Sequence, residues 1–552
     1  MTLTTLWIRL REVSCHFRVQ DASHARSDGS RQATRCASTK VANPSLQCDE
    51  AQPVCQRCMK SQRNCYGMRA GQTYPVVHIE NSYASGSKKR PRGPRSTSAV
   101  ETSAVETPAV ELTNNLSAVL QPPLVDLKSQ AIMYYMHYHL QTLEDAPNVS
   151  KGLSGDLMPV WMSRAKFPIL DLALSSVALA VFSRTQRHGP AAIEASRKYY
   201  RLLQIAQATI LSLDKGNIDA YLLAIYFMSR YEDSVHCPSH LNRKTSFTTT
   251  IQSFLHHDGA LAILSVWKDH LSHSQPATDV VKHTRRGMIR SALLRHLALP
   301  GWMLQGGSFG EHGLELEYDG IIVRITGVRQ RLSSLLQDNI SPQRTSYKLT
   351  LTAEELNKEA QDIDKALQDW RTHFPSTWCY QRHTLSDPYP WPMRDFYSPV
   401  VYSYSSPAYA AVWNLYYATR MLINDTRLRI LALSHPSPDD LSPEQRLECL
   451  SHIEIMANDL ASSVPFCLQR FKVTDNCNSS SHQSSITLSA DEGIKPYLVS
   501  LIVWPLTIAS GLGAGDADIK QRLWFKSELA RLGRIVGVGV LECAETEQWL
   551  EF

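Results

Sequence analysis

The 552-residue sequence contains no run of 18 or more apolar residues, which is the length that a transmembrane helix needs. Its longest apolar stretch, residues 169–182, carries Asp171 and therefore predicts a buried core helix. The apolar stretch within the first 17 residues is interrupted by Arg9, Arg11 and Glu12, which is a poor pattern for a signal peptide. We expect no membrane partner.

Catalytic signatures are missing as well: the sequence has no G-x-S-x-G, no H-E-x-x-H and no dinucleotide-binding fingerprint. The glycine-rich residues 306–310 are neither preceded by a predicted strand nor followed by a P-loop lysine, so they predict a loop. His256 and His257 stand beside Asp258 without a third ligand at metal-binding spacing, and we favour a structural role for both. The sequence does not predict an enzyme.

Positive charge and cysteine are concentrated at the N-terminus. Residues 1–100 hold 16 Lys and Arg against 6 Asp and Glu, a net charge of +10, whereas the rest of the chain carries −5. Six of the twelve cysteines lie in the first 65 residues, and the other six are scattered over the rest of the chain. Scattered single cysteines are typical of buried thiols in a reducing compartment. A basic head on a mildly acidic body favours nucleic acid as a partner.

The chain divides into four predicted segments. Residues 1–47 lack periodicity and predict a disordered or wrongly translated segment, and residues 48–69 contain closely spaced cysteines. Residues 70–122 predict a disordered basic linker that includes a five-residue repeat of the type A-V-E-T, which is neither a heptad nor a solenoid unit. Residues 123–552 predict a large helical domain.

The helical prediction for residues 123–552 follows from apolar residues that recur at intervals of three and four. The predicted helices cover residues 127–143, 193–213, 219–231, 353–370, 408–433, 443–460, 495–510 and 519–536. Strand signals are confined to residues 320–324 and the tyrosine-rich residues 397–404, and a polar loop is expected at 476–482. The predicted fold class is therefore mostly α.

The most informative segment has the spacing C-x6-C-x2-C-x6-C, formed by Cys48, Cys55, Cys58 and Cys65. Four thiolates complete a tetrahedron around one Zn²⁺, and the two sulfurs of a C-x2-C pair reach a single ion. These four cysteines are the predicted metal ligands.

This segment resembles the second half of the binuclear Zn(2)-Cys(6) cluster of fungal transcription factors. The match is C-D-E-x-x-P-x-C-x-R-C-x-K-S-x-R-x-C-x-G, over residues 48–67. The family pattern places two further cysteines at positions 38 and 41, where this chain has Ser38 and Val41, and basic residues where residues 42–47 have no charge. The resemblance implies two zinc ions for a complete cluster, and one or none for the chain as written.

Three explanations for the missing half stay open. Four thiolates are sufficient for a single structural zinc site. Alternatively, residues 41–47 are translated intron, since V-A-N-P-S-L-Q can be encoded with an internal CTAAC and a terminal CAG. The third explanation is substitution by an upstream ligand, for which the candidates are Cys36, Cys15, His16 and His24.

Basic residues accompany the cysteines. Arg57, Lys60 and Arg63 are predicted to contact DNA phosphates, which supplies affinity rather than base choice. A second basic run is a candidate nuclear-import signal, and its charged residues are Lys88, Lys89, Arg90, Arg92 and Arg95.

The large domain resembles the fungal-specific transcription factor domain that often follows a zinc cluster. The similarity lies in residues 254–264, 411–420, 504–506 and 522–529. It implies an all-helical regulatory domain without chemistry of its own. From the residues alone, Trp413, Tyr416 and Arg420 share one helical face and predict packing with a buried hydrogen bond.

The resemblance implies a nuclear regulator of RNA polymerase II transcription that binds GC-rich DNA and contacts the transcription machinery, with a biosynthetic gene cluster as one setting. Whether it forms a homodimer stays open. The alternative is a transcriptional cofactor or effector-sensing module whose degenerate zinc cluster has lost DNA binding.

Overall fold

The structure is a computed structural model, and it describes most of residues 126–552, which belong to one compact unit. The segments outside the description are residues 1–125, 142, 144–145, 150–166, 210–212, 215, 237–251, 273–275, 339–345, 386–391, 435–442, 476–483, 490–492, 514–518, 548 and 551. The predicted N-terminal segment, metal module and basic linker all lie outside the described residues, as does the predicted loop at 476–482.

The described residues are mostly helical, which confirms the predicted fold class for the body. The helices are α1 Leu127–His139, α2 Pro168–Gln186, α3 Gly189–Thr209, α4 Ile218–Val235, α5 Ser253–Val266, α6 Asp279–Arg295, α7 Gly313–Asp338, α8 Ser346–Thr372, α9 Pro407–Ser434, α10 Pro443–Cys467, α11 Pro496–Val499, α12 Val503–Gly511, α13 Ile519–Val536 and α14 Gly539–Glu542. The strands are β1 Gln381–Thr384, β2 Val400–Ser403, β3 Phe471–Asp475 and β4 Ser484–Leu488.

The first half of the body packs around α2. A proline occupies the first turn of α2, where its missing N–H costs no hydrogen bond, and every residue from Ile169 to Val181 except Asp171 is buried. Helices α1, α3 and α4 pack against it. By length and composition α2 could cross a membrane, but its burial among neighbouring helices is that of a core helix, as predicted for residues 169–182.

The second half of the body packs around α9. Helices α8, α10 and α12 contact it, and α13 and α14 close the same hydrophobic core. Two antiparallel hairpins accompany these helices: β1 pairs with β2, Gln381 opposite Ser403, and β3 pairs with β4, Phe471 opposite Leu488. The strand signal at residues 397–404 is confirmed in its central part, whereas β3 and β4 were not predicted.

One strand prediction is wrong. Residues 320–324 lie inside α7, although the run Ile321-Ile322-Val323 is β-branched and favours a strand locally. The buried residues Tyr318, Ile321, Ile325, Val328 and Leu332 recur at intervals of three and four, which is the period of one helical face. Burial of that face against α8 and the core overrides the local propensity.

The predicted helices at 127–143, 193–213, 219–231, 353–370, 408–433, 443–460 and 519–536 correspond to α1, α3, α4, α8, α9, α10 and α13. Residues 495–510 form two helices, α11 and α12, instead of one. Helices α5, α6 and α7 were not predicted as helices.

The connection between α6 and α7 holds these two helices side by side. Helix α6 begins after Thr278, whose hydroxyl accepts a hydrogen bond from the Val281 amide at 3.2 Å. It ends at Arg295, and the next residue, His296, adopts the left-handed conformation, φ 54°. Two short 3-10 turns follow, Gly301–Met303 and Gly306–Phe309, so the expected glycine-rich loop is a turn that leads into α7.

Candidate functional site

The predicted zinc ligands and DNA contacts lie outside the described residues. They therefore stay predictions, namely Cys48, Cys55, Cys58, Cys65, Arg57, Lys60, Arg63 and the basic run 88–95. Within the residues that the structure does describe, no group of three or more His, Cys, Asp and Glu side chains is arranged to hold a metal ion.

A cavity lies between α6 and α7. Its volume is about 40 Å³, enough for a few water molecules. Its polar lining comes from arginines on α6 and from a tyrosine and two carboxylates on α7, and its apolar lining comes from two isoleucines and a valine. These residues are Arg286, Arg290, Glu315, Tyr318, Asp319, Ile289, Ile322 and Val149.

Asp319 is held by an arginine that lies beside the cavity. Arg285 is fully buried and donates two parallel hydrogen bonds to the Asp319 carboxylate, at 2.6 Å and 2.8 Å. It also donates from Nε and Nη2 to the carbonyl of Met303, at 3.0 Å and 2.7 Å. The guanidinium thus fixes α6, α7 and the first 3-10 turn to one another, and it neutralises Asp319.

Arg286 also forms hydrogen bonds and ion pairs with neighbouring residues. Its Nε donates to Glu311 at 2.9 Å, its Nη2 donates to the second carboxylate oxygen of Glu311, and Glu315 lies 3.4 Å from Nη2. Its Nη1 donates to the carbonyl of Asn148 at 3.3 Å. Two carboxylates and a carbonyl therefore surround this guanidinium.

Arg290 differs from its two neighbours because no hydrogen bond or ion pair to a described residue satisfies it. Its guanidinium lies over the ring of Trp504, 5.4 Å from the ring centroid. Burial lowers the pKa of Arg290; the nearby Tyr318 phenol opposes that shift, and the positive charges of Arg286 and Arg230 add to it. Burial and two neighbouring cations thus disfavour the charged form of Arg290, and only the Tyr318 phenol favours it.

A second polar cluster lies in the core between α3, α4 and α5. The Tyr199 hydroxyl donates to Glu232 at 2.6 Å and lies 2.7 Å from Nε2 of His256. All three side chains are buried in the half of the body that packs around α2. Their mutual hydrogen bonds satisfy polar groups that would otherwise be costly to bury.

His257 occupies a similar position between α4 and α6. Its Nε2 lies 3.1 Å from the Ser229 hydroxyl and its Nδ1 lies 3.0 Å from the Ser291 hydroxyl. Burial, followed by the charge of Arg295, lowers the pKa of His257 to about 3. His256 and His257 thus tie helices together by hydrogen bonds, which is the structural role predicted from the sequence.

The aromatic face of α9 also matches its prediction. The Trp413 indole donates to the carbonyl of Trp378 at 2.8 Å, and Tyr416 is buried. Arg420 donates through Nε to Asp364 at 3.1 Å. This face packs α9 against α8 and the segment before β1.

Sequence reasoning missed three of the four arginines of α6, namely Arg285, Arg286 and Arg290, which lie at or beside the cavity. They stand within residues 284–291, T-R-R-G-M-I-R-S, where the mixture of charge and apolar residues gives a visible helical signal. Their carboxylate partners on α7 are not predictable from the sequence, because residues 320–324 favour a strand and α7 is therefore not predicted as a helix.

No family model, curated protein or solved structure matches this chain. The resemblance to fungal zinc-cluster regulators therefore depends on residues 48–67 and on the four segments of the helical body.

Proposed function

We propose that this protein is a DNA-binding regulator of RNA polymerase II transcription, of the fungal zinc-cluster type, acting in the nucleus. The observation that carries the proposal is the spacing C-x6-C-x2-C-x6-C at residues 48–65, with basic residues between its cysteines. The net charge of +10 on residues 1–100 and the helical body support it. GC-rich sites in a biosynthetic gene cluster are the proposed target.

The donor set fits one zinc ion. Thiolates of Cys48, Cys55, Cys58 and Cys65 would supply the four ligands of a structural site. The resemblance implies that two ions also need the two upstream cysteines, which are absent at positions 38 and 41. A bound zinc ion holds a short segment in one conformation without a hydrophobic core.

The chain's own basic side chains then provide the DNA contacts. Backbone phosphates would be neutralised by Arg57, Lys60 and Arg63. Because each contact releases a counterion from the DNA, the binding affinity should fall as the salt concentration rises. Since residues 42–47 carry no charge, base readout by the first half of the cluster is not expected.

Titration of a CGG-containing duplex with the full-length protein tests the proposal. Binding should be lost after chelation and in Cys55→Ala, and retained in Cys379→Ala, which removes an exposed cysteine of the helical body. Binding that survives both chelation and Cys55→Ala would overturn the zinc mechanism. A metal count of two, one or zero zinc ions per chain distinguishes a complete cluster, a single site and a degenerate segment.

A second candidate function is a transcriptional cofactor or effector-sensing module without DNA affinity. Ser38 and Val41, at the positions of the first two family cysteines, favour it. Under this candidate the purified chain fails to shift CGG-containing DNA even when zinc is supplied. Sequencing the transcript is decisive for the upstream residues: a message that keeps the codons for 41–47 eliminates the intron explanation.

A further inference from the structure

We propose that the cavity between α6 and α7 binds the carboxylate of a small organic acid, with Arg290 as its counter-ion and Ile289, Ile322 and Val149 against its apolar part. This goes beyond DNA binding and does not depend on it, because every side chain involved lies in the helical body.

The arginines on α6 that lie at or beside the cavity differ in their partners. Arg285 is bidentate to Asp319, and Arg286 is shared between Glu311 and Glu315. Arg290 lines the same cavity and has no carboxylate within ion-pair distance among the described residues. A partly buried guanidinium without an anion is a ready partner for an incoming carboxylate, to which it can donate two parallel hydrogen bonds.

Charged and titratable side chains around Arg290 also favour an incoming anion. Tyr318 is the group that favours its charged form, while Arg286 and Arg230 disfavour it. Burial lowers the pKa of the neighbouring His283 to about 3, and the charges of Arg290, Arg286 and Arg230 lower it further. A single negative charge placed at Arg290 would relieve this repulsion.

A second donor without an acceptor in the described part of the chain lies next to Arg290. The indole Nε1–H of Trp504 is buried and has no acceptor among the described residues, and the Arg290 guanidinium lies over this indole. The Trp504 donor and the Arg290 guanidinium thus both lack an acceptor among the described residues, and a buried polar group favours a hydrogen-bond partner.

The remaining lining defines the class of ligand. Val149, Ile289 and Ile322 offer an apolar surface beside the guanidinium, which suits a hydrocarbon tail. Glu315 and Asp319 line the same cavity and repel negative charge, although Arg286 and Arg285 partly neutralise them, so a ligand with two negative charges is disfavoured more than a ligand with one. A monocarboxylate with a short apolar tail therefore fits better than a phosphate dianion.

Arginine footprinting on the full-length wild-type protein tests the proposal without any substitution. Phenylglyoxal modification of each arginine is followed by peptide mass spectrometry in butyrate, in the neutral isostere butyramide, in inorganic phosphate and in sodium chloride of matched ionic strength. We expect butyrate to slow modification of Arg290 and to leave Arg324, a residue of α7 outside the cavity lining, unchanged.

Thermal unfolding provides the second measurement. Butyrate should raise the unfolding temperature of the wild type and of Arg324→Gln but not that of Arg290→Gln, because a ligand that binds only the folded state stabilises it. Butyramide should bind about tenfold more weakly or worse, since it lacks the charge-assisted hydrogen bonds. If Arg290→Gln does not fold, the arginine footprinting of the wild-type protein tests the proposal by itself.

Three results would overturn the proposal. Equal modification of Arg290 with and without butyrate means that the guanidinium only packs on Trp504. Equal protection by butyramide removes the counter-ion role. Stronger protection by inorganic phosphate than by butyrate rejects the carboxylate class.

Discussion

Arg285 and Asp319 join α6 to α7 through two parallel hydrogen bonds of 2.6 Å and 2.8 Å, and the arginine side chain is completely buried. The carbonyl of Met303 accepts two more hydrogen bonds from the same guanidinium. One side chain thus positions both helices that line the cavity and the turn between them.

Asp319→Ala should lower the free energy of unfolding by about 3–5 kcal/mol, because it leaves the Arg285 charge buried without an anion. The double variant Arg285→Met with Asp319→Leu should be less destabilised than Asp319→Ala, since neither charge remains. Urea unfolding followed by circular dichroism measures both. Glu359→Ala, which breaks the exposed pair with Arg331, is the control and should cost at most about 1 kcal/mol. A similar loss in Glu359→Ala and Asp319→Ala would contradict this account.

Gly306→Ala and Gly307→Ala should differ although the two residues are adjacent. A Cβ at residue 306 would overlap the Asp319 carboxylate and lie 3.2 Å from Cγ of Glu311, whereas nothing lies within 4 Å of a Cβ at residue 307. Overpacking of this kind costs about 1–3 kcal/mol. Unfolding midpoints should fall for Gly306→Ala and stay near wild type for Gly307→Ala; equal midpoints would show that the turn relaxes freely.

Stability should fall as the pH decreases from about 6.5 toward 3, in part because of His257. Its pKa is about 3 in the folded state, lowered by burial, and near 6.5 when unfolded, so in this window only the unfolded state binds the proton. Each such histidine contributes up to about 1.4 kcal/mol per pH unit. His257→Gln should flatten the curve of unfolding free energy against pH. The pH-independent loss of packing in this variant is measured at pH 8, where the histidine is neutral in both states. An unchanged slope would refute the buried neutral histidine.

Helix positions were predictable where an apolar face repeats over many turns. Residues 519–536 were predicted with the observed bounds of α13, and residues 408–433 differ from α9 by one residue at each end. The failure at residues 320–324 has a definite cause, because Ile321-Ile322-Val323 favours a strand over three residues. The helical period becomes visible only when the buried residues Tyr318 and Leu332, on either side of this run, are included.

The cavity could not be predicted because its chemistry depends on which arginine obtains a carboxylate. Arg285, Arg286 and Arg290 look equivalent in the sequence. Their pairing is decided by the turns between α6 and α7, which bring Glu311 to Arg286 and leave Arg290 against Trp504, a residue more than two hundred positions away.

Thiol labelling should distinguish the four cysteines that lie in the described part of the body. Cys379 is exposed, so the expectation of buried thiols is wrong there, whereas Cys449, Cys467 and Cys543 are buried. Burial raises the pKa of Cys467 to about 12 and that of Cys449 to about 11, which disfavours the reactive thiolate. N-ethylmaleimide followed by peptide mass spectrometry should label Cys379 in the native protein and the other three only in urea. Native labelling of Cys467 as fast as that of Cys379 would contradict the packing of α10.

Zinc removal should leave the unfolding of the helical body unchanged. The four predicted ligands are Cys48, Cys55, Cys58 and Cys65, and the described part of the chain has its own hydrophobic cores. Chelation should therefore release about one zinc ion per chain, the number that four thiolates hold, without moving the helical circular dichroism transition.

Cys48→Ala should abolish the bound zinc, measured by elemental analysis, and Cys379→Ala should retain it. A transition that shifts to lower temperature on chelation would mean that metal contributes to the stability of the body, which would place a ligand outside residues 48–65. Two zinc ions per chain would instead require upstream ligands that replace the cysteines missing at positions 38 and 41.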